Sequence, residues 1–516
     1  MDPWSGRCKW QAFLEGIPMP SSKVDAPSTG GASPGAAGDT GPDSGKLSLL
    51  ALIGLVVGSM IGGGVFSLPQ NIAASAAAGP IIIGWIITGI GMICLAFVYQ
   101  FLANRKPELD NGVYAYARAG FGDYMGFNSA WGYWLSALIG NVGYLVLLMS
   151  TIGKFLPIFE GGNTLPAIIV ASVLLWLNHL LIIKGIQTAT LINTITTIAK
   201  IVPIFAFIAI AAFGFHYDLF VFDFWGEQSG LGSIVDQTRN MMLVTVWVFI
   251  GIEGASIYSK RARNRKDVGT ATIVGFIFVL AVLVLVNLLS LGIMQRAEIA
   301  ELPDASMGDV LAEIVGPWGV WFVSIAVIIS VLGALLAWIL LCGETMQIPG
   351  TDGTMPSFFG RLNENDAPAN ALLVTNIVTQ VVLLATMLSS NVYYVMATFS
   401  AALILVPYLL SALYALLVTS RGETYTGDMA RGRAKDLTVS IIATLYGFWL
   451  IYAAGLGNLA LATLLYLPGI IVYIWAKKEN GQRPYLKPFE YIILAVLVLG
   501  AAYAVYGLSN GAISLL

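Results

Sequence analysis

The chain of 516 residues is 57% hydrophobic and only 11% charged, with a net charge of −3 at pH 7. Because soluble domains carry about 25% charged residues, this chain has too little charge to cover the surface of several soluble domains. The composition argues against a soluble enzyme, a disordered protein and a nucleic-acid-binding protein, and it favours a polytopic membrane protein.

Residues 1–46 differ from the rest because they are rich in Ser, Gly, Pro and Asp. Such a segment cannot bury a core, so we expect a flexible N-terminal tail on the cytoplasmic side. The segment has no apolar stretch before residue 48, and we therefore expect no secretory signal peptide.

Thirteen segments are long and apolar enough to cross a membrane, which takes about 20 mainly apolar residues. The first ten, within residues 47–418, form the predicted ten-helix core, and residues 437–476 hold helices 11 and 12. The last segment ends in small polar residues, so residues 489–516 predict a thirteenth helix less strongly. The segments are 48–69, 80–102, 124–153, 164–183, 188–214, 238–259, 268–293, 317–345, 369–388, 392–418, 437–456, 458–476 and 489–513.

Basic residues predict the orientation of the chain. The loop 260–266 holds five Lys or Arg residues, and the loops after the second, tenth and twelfth segments are also basic. The loop after the seventh segment is acidic, with five Asp or Glu residues against Arg296. Since basic loops stay in the cytoplasm, the N-terminus and the even-to-odd loops are predicted to be cytoplasmic. We expect the cell (inner) membrane as the location.

The first segment contains three consecutive glycines, Gly62, Gly63 and Gly64, near its middle. Each costs about 1 kcal/mol against alanine inside a helix, and together they predict a break. A break exposes N–H groups at the start of a second half-helix, where an anion such as a carboxylate is favoured. Close packing of helices is the alternative explanation of small residues.

The sixth segment is interrupted in a similar way, because Gly251 and Gly254 flank the acidic residue Glu253. Acids inside a membrane span are costly and often functional. The alternative is a boundary residue that pairs with the basic loop beginning at Lys260.

Interruptions in the first and sixth helices are typical of two five-helix repeats, about 47–214 and 238–418. Five helices per repeat reverse the orientation, which agrees with the charge pattern. Inverted repeats place a substrate site at the midplane between the two breaks.

Seven stretches of the sequence resemble a known family. Residues 62–69 (GGGVFSLP) and 247–255 (WVFIGIEGA) resemble the first- and sixth-helix motifs of the amino acid–polyamine–organocation superfamily. Other motifs resemble the basic amino acid/polyamine antiporter family within it. Its arginine/agmatine branch is similar at 133–141 (YWLSALIGN), 332–338 (LGALLAW) and 405–409 (LVPYL), and its arginine/ornithine exchangers at 352–356 (DGTMP) and 367–371 (APANA).

The resemblance, which covers residues 47–476, implies a LeuT-like fold: an all-α membrane protein of 12 to 13 helices with a 5+5 inverted repeat. It implies exchange of a cationic amino acid, with arginine favoured, for ornithine or agmatine. It also implies a homodimer. We expect small-molecule substrates and a lipid bilayer as partners, and no cofactor, metal or nucleic acid.

The resemblance also implies roles for single residues. The substrate carboxylate would bind at Gly62, Gly63 and Gly64, where Gly63 replaces a serine of the arginine/agmatine branch, and Ile250 would offer its carbonyl to the α-ammonium. The positions matched to the cationic tail and the pocket wall are Ile61, Ser136, Ala137, Asn141, Tyr144 (a methionine in that branch) and Trp338. The gating or pH-sensing positions are Trp247, Tyr133 (beside the outer gate) and Glu253.

The chemistry of these residue types suits an arginine-like ligand. A tryptophan face attracts a cationic tail by about 0.5–2 kcal/mol without a buried anion. An interfacial position is the alternative for each tryptophan, and an interhelical hydrogen bond is the alternative for Asn141.

Other functions remain open from the sequence. Within transport the rival is a proton-coupled uptake permease with Glu253 as the proton carrier, and a channel is a further option. An intramembrane enzyme is disfavoured, because the one G-x-S-x-G match, 507–511, lacks the strand–turn–helix context of a nucleophile elbow. The two histidines, His179 and His216, have no evident triad or metal partner, so no catalytic residue is expected.

Overall fold

The computed structural model describes residues 48–109, 112–185, 189–253, 263, 265–389, 391–482 and 486–513. The predicted N-terminal tail, Gly254 and most of the basic loop 260–266 lie outside these described residues.

Helices make up nearly all of the described chain, as expected where lipid offers backbone groups no hydrogen-bond partner. We number them α1 to α19 in chain order. They are α1 Leu49–Met60, α2 Leu68–Ala73, α3 Ala78–Arg105, α4 Gly112–Phe121, α5 Asp123–Gly153, α6 Leu165–Ile183, α7 Ala189–Phe213, α8 Tyr217–Val221, α9 Ile234–Trp247, α10 Arg265–Ser290, α11 Arg296–Glu301, α12 Met307–Val315, α13 Trp318–Thr351, α14 Ser357–Gly360, α15 Ala369–Ala385, α16 Val392–Arg421, α17 Arg433–Tyr466, α18 Gly469–Glu479 and α19 Pro488–Ser509.

Among the described residues, nine helices are long and apolar enough to cross a membrane, or ten if the bent pair at the start is one span. This confirms an all-helical, polytopic membrane protein. This number is smaller than the thirteen segments predicted from the sequence, partly because residues 433–479 are counted as one span. Within them, however, Gly455 has a non-helical backbone (φ 72°, ψ 159°). In addition, the predicted sixth segment, 238–259, ends in residues 254–259, which are not among the described residues.

Polar caps mark where several helices begin. Ser48 accepts a hydrogen bond from Ala51 N–H at the start of α1, and Thr164 accepts one from Ala167 N–H at the start of α6. At α9, Ser233 and Asp236 cap each other's backbone N–H groups. These bonds satisfy amides that have no partner within the helix.

Helix α5 is the centre of the fold, since every residue from Tyr124 to Thr151 is buried. It packs against α16, α13 and α4. Small residues allow this close approach: a Cβ at Gly132 would lie 1.6 Å from the Tyr466 hydroxyl. By contrast, α19 exposes apolar side chains such as Ile492 and Leu499, as expected of a helix at the lipid boundary.

We predict that Gly91→Ala destabilises the packing of α3 on α17. A Cβ there would lie 2.2–2.4 Å from three ring carbons of Tyr446, so the helices must separate, and overpacking of this kind costs about 1–3 kcal/mol. The measurement is the thermal unfolding temperature of the purified protein in detergent. Gly457→Ala is the control, because a Cβ at Gly457 meets nothing within 4 Å. Equal unfolding temperatures for the two variants would contradict this account of the contact.

Candidate functional site

The first predicted span is broken where the glycine triplet predicts it. Helix α1 ends at Met60, and Ile61 has a non-helical backbone (φ −79°, ψ 86°). A short 3-10 turn, Gly64–Ser67, then leads into α2, and the two halves are bent by 42°. All three glycines are buried, so the irregular backbone lies inside protein and not against lipid.

A buried lysine satisfies the carbonyls that this break leaves free. Lys200 of α7 is 2% exposed, and its Nζ donates to the carbonyl oxygens of Gly58 and Ile61, each at 2.7 Å. The sequence analysis predicted no role for Lys200. A signal was present, since Lys200 is the only charged residue in the predicted span 188–214, and ionisable residues within spans are functional candidates.

The sixth predicted span breaks beside the first. Helix α9 ends at Trp247, and residues 248–253 form turns. Gly251 has φ +107°, a conformation that favours glycine, and a Cβ there would lie 3.1 Å from the carbonyl group of Ser59. The Ser59 hydroxyl donates to the Gly251 carbonyl at 3.1 Å. The two breaks therefore touch, and Ile250 lies in the turn at their junction.

Two aromatic residues cover the glycine triplet. The hydroxyl of Tyr144 lies 2.1 Å from the Cβ position of Gly62. The Trp247 Nε1 lies 3.1 Å from the Cβ position of Gly64 and donates to the Tyr393 hydroxyl at 3.1 Å. The rings of Tyr144 and Trp247 are 5.5 Å apart between centroids. The glycine triplet therefore lies against the polar tips of two aromatic side chains.

Further along α5, Asn141 has a free hydrogen-bond acceptor. Its Nδ2 donates to Cys342 Sγ at 3.6 Å, while its Oδ1 is buried and has no partner among the described residues. Trp338 is buried and precedes Cys342 by about one turn of α13, which puts it on the same side of that helix. An unpaired buried acceptor is costly, and a cationic N–H donor would satisfy it.

Ser136 and Ala137 are also buried in this part of α5. The Ser136 hydroxyl donates to the Ser400 carbonyl at 2.8 Å, and the Ser400 hydroxyl returns a bond to the Ser136 carbonyl at 2.7 Å. These bonds tie α5 to α16, so the Ser136 side chain serves helix packing in this structure.

Glu253 joins three helical segments on the other side of the breaks. It is 1% exposed, accepts a bond from the Tyr408 hydroxyl at 2.7 Å and accepts another from the Tyr133 hydroxyl. Tyr408 lies within the motif 405–409, but the sequence analysis predicted no role for it.

The expected place of Tyr133 beside the outer gate stays a prediction. Its partner Glu253 follows the second break, whereas Trp247 precedes it, and Tyr133 lies in the half of α5 that begins near the basic residue Arg118. Its hydroxyl bonds the acid Glu253.

A loop packs against α2 at the end of the bundle away from the basic loops. Gln70 Nε2 donates to Asp304 Oδ1 at 3.2 Å, the Ser306 hydroxyl bonds Gln70 Oε1, and Ala305 N–H donates to Ser67 Oγ at 2.9 Å. Lys154 Nζ donates to the Ala305 carbonyl and pairs with Asp309. Burial raises the pKa of the Asp304 carboxyl to about 6, although the Gln70 hydrogen bond and the Lys154 charge lower it.

Comparison with known proteins assigns the chain to a family. The model of the amino acid permease family matches residues 47–475. This chain belongs to the amino acid permease family. An arginine/ornithine antiporter of Pseudomonas aeruginosa is 56% identical, covering 91% of this chain and 98% of the relative. An L-lysine transport protein of Corynebacterium glutamicum is 43% identical, covering 91% and 96%. An arginine/agmatine antiporter of Chlamydia pneumoniae is 40% identical, covering 91% and 98%.

In this permease the predicted site residues fall into three groups. Ile61 to Gly64, Tyr144, Trp247 and Ile250 come together at the paired breaks. Asn141 and Trp338 lie along α5 and α13, while Tyr133 and Glu253 form the network on the side of the basic loops. Within the described residues there is no group of three or more His, Cys, Asp or Glu side chains that could hold a metal ion.

We predict that the contact between the Asp304 loop and α2 strengthens in acid. Because the folded-state pKa of Asp304, about 6, lies above its ordinary value of 3.8, the folded form binds the proton more tightly. The contribution of Asp304 to stability therefore falls as pH rises from about 4 to about 6. Hydrogen exchange of residues 302–306 at pH 5 and 7.5 measures this contact.

Exchange should be slower at pH 5 after correction for its intrinsic pH dependence, and Asp304→Asn should abolish the difference. The exposed carboxyl of Glu301 provides the control variant Glu301→Gln, which should retain the difference. A pH difference that survives in Asp304→Asn would assign the effect to another titratable group.

Proposed function

We propose that this permease exchanges a cationic amino acid, with arginine favoured, for a related amino acid or amine such as ornithine or agmatine. The observation that carries the proposal is the direct contact between two broken spans at Ser59 and Gly251, with glycine N–H groups on one side of the junction. The family membership and the transport activities named for the relatives support the same class of substrate.

The substrate would be held by its three charged groups. Its α-carboxylate binds the N–H groups of Gly62–Gly64, where the start of a half-helix favours an anion. Its α-ammonium binds the carbonyl of Ile250. Since the Tyr144 hydroxyl lies against Gly62, the carboxylate must displace this hydroxyl to enter.

The cationic tail extends toward Asn141 and Trp338. The unpartnered Oδ1 of Asn141 accepts an N–H from the tail, and the Trp338 ring supplies a cation–π contact worth about 0.5–2 kcal/mol. Neither group is an anion, so the bound cation is not held so tightly that release from either side becomes slow.

Alternating access follows from two closures on opposite sides of this site. Trp247 and Tyr393 close one side, and Glu253 with Tyr133 and Tyr408 closes the other. Lys200 anchors the end of α1 at the break, so the two half-helices of the first span can move separately. The basic loops put the Glu253 side in the cytoplasm and the N-terminus with it, in the cell (inner) membrane.

We propose the LeuT-like arrangement of 12 to 13 spans for the same reasons. Residues 433–479 would extend about 70 Å as one helix at 1.5 Å per residue, more than twice the hydrocarbon thickness of about 30 Å. The non-helical Gly455 divides this run into helices 11 and 12. The broken first and sixth spans then occupy corresponding places in two repeats of five. A homodimer remains a prediction from the resemblance.

Counterflow in proteoliposomes tests the exchange. We predict that vesicles loaded with ornithine accumulate external arginine without any pH gradient, because the outgoing substrate returns the carrier. Empty vesicles and vesicles loaded with glycine are the controls. Uptake that needs a pH gradient and no internal substrate would replace exchange by proton-coupled uptake, with Glu253 as the proton carrier.

We predict that Trp338→Leu weakens arginine binding about tenfold, the size of one cation–π contact. Isothermal titration of the purified protein measures the dissociation constant. Trp318→Leu, at the other end of α13, is the matched control because Trp318 is 52% exposed. An unchanged dissociation constant in Trp338→Leu would remove this residue from the site.

A further inference from the structure

A cavity of about 470 Å³ lies outside the site described above. Its walls come from the end of α2, the first half of α9, the start of α16 and the part of α17 around Gly455. Because the basic residues Arg421 and Arg433 lie at the opposite ends of α16 and α17, the cavity is on the side that the charge pattern predicts to be outside. Polar side chains line it, namely Ser75, Arg239, Asn240, Thr398 and Asn458.

The guanidinium of Arg239 is the charged group of this cavity. Its Nε is buried and has no hydrogen-bond partner among the described residues, and its Nη2 lies 3.1 Å from the Cβ position of Gly455. The neighbouring acid on α9, Asp236, is bonded to Ser233 and also interacts electrostatically with Arg239, and the Arg239 guanidinium lies 5.5 Å from the centre of the Tyr452 ring. A buried donor without a partner is costly, and the planar guanidinium matches a carboxylate or a phosphate.

The cavity adjoins the aromatic cover of the central site. Leu243 lines the cavity, and Trp247 follows it by about one turn of α9. Tyr394 also lines it, and the adjacent Tyr393 accepts the Trp247 hydrogen bond. A ligand in the cavity is therefore about one helical turn from the residues that close the outer side.

The charge at this place restricts what the ligand can be. A fixed cation on the entry side repels substrates with a net positive charge, unless it also makes a specific attractive contact. Arginine and ornithine offer such a contact through the α-carboxylate. A decarboxylated amine such as agmatine carries two positive charges and no carboxylate, so it meets only the repulsion.

We propose that Arg239 binds the α-carboxylate of the incoming amino acid in this cavity and thereby selects amino acids over decarboxylated amines from the outside. The inference rests on the proposed function and narrows its substrate class. A phospholipid phosphate would present the same chemistry to Arg239, and the test below separates the two sources.

The test measures uptake of radiolabelled L-arginine into ornithine-loaded proteoliposomes, with external agmatine as a competitor. In Arg239→Gln, we expect the half-saturating arginine concentration to rise about tenfold, as for the loss of one charge-assisted hydrogen bond. The inhibitory concentration of agmatine should stay unchanged or fall. Arg239→Lys keeps the charge and should retain most of the selectivity, which shows that loss of folding is not the cause.

The matched control is Arg421→Gln, since Arg421 lies at the opposite end of α16 with its side chain 66% exposed. It should change neither constant. All variants are measured in phosphatidylcholine vesicles with and without anionic phosphatidylglycerol. An effect of Arg239→Gln that is equal for arginine and agmatine and requires the anionic lipid would overturn the inference in favour of a lipid phosphate.

Failure of the inference and failure of the proposed function give different results. If wild-type vesicles exchange arginine for ornithine but Arg239→Gln leaves the ratio of the two constants unchanged, only the role of Arg239 is refuted. If wild-type vesicles show no counterflow of cationic amino acids, both proposals fall together.

Discussion

The structure depends on the satisfaction of backbone polar groups inside a membrane. Two spans are interrupted, and each interruption frees carbonyl and N–H groups that lipid cannot solvate. Lys200 takes up two of these carbonyls, and Ser59 takes up a third at Gly251. Without such partners the breaks would be too costly to persist, and the bundle would have no polar backbone at its centre with which to bind a ligand.

The surrounding helices follow from this requirement. An irregular backbone must be shielded from lipid, and α5 supplies the shield because it is buried along nearly its whole length. This helix also carries the unpartnered, buried Asn141 acceptor and the Tyr144 hydroxyl that lies against Gly62, two of the groups that we propose for the substrate site. Tyr133 of the same helix bonds Glu253. A movement of α5 relative to α9 would therefore alter the proposed substrate site and the Tyr133–Glu253 hydrogen bond together.

Much of this architecture could be predicted from local sequence. Long apolar runs predicted the helices, and the helix Pro488–Ser509 lies where the sequence placed a thirteenth segment. The glycine triplet and Gly251 predicted where the backbone departs from a helix, because glycine costs are local. The hydrogen bonds between distant helices were not predictable in this way. Lys200 bonds to carbonyls at the end of α1, and these backbone partners have no side-chain signature in the sequence.

The side of the membrane to which a residue belongs was also hard to infer. The resemblance predicts Tyr133 beside the outer gate, but the bond of its hydroxyl to Glu253 depends on how α5 packs against the second break. Positions matched by a motif transfer residue types, but the face on which a side chain works depends on packing between helices.

The central claim is that the paired breaks bind the substrate through the N–H groups of the first span. An experimental structure with bound L-arginine tests it most directly. The α-carboxylate should lie about 3 Å from the amides of Gly62–Gly64, with the Tyr144 hydroxyl moved away from Gly62. A structure in which arginine binds elsewhere, while the Tyr144 hydroxyl still lies against Gly62, would contradict this binding mode.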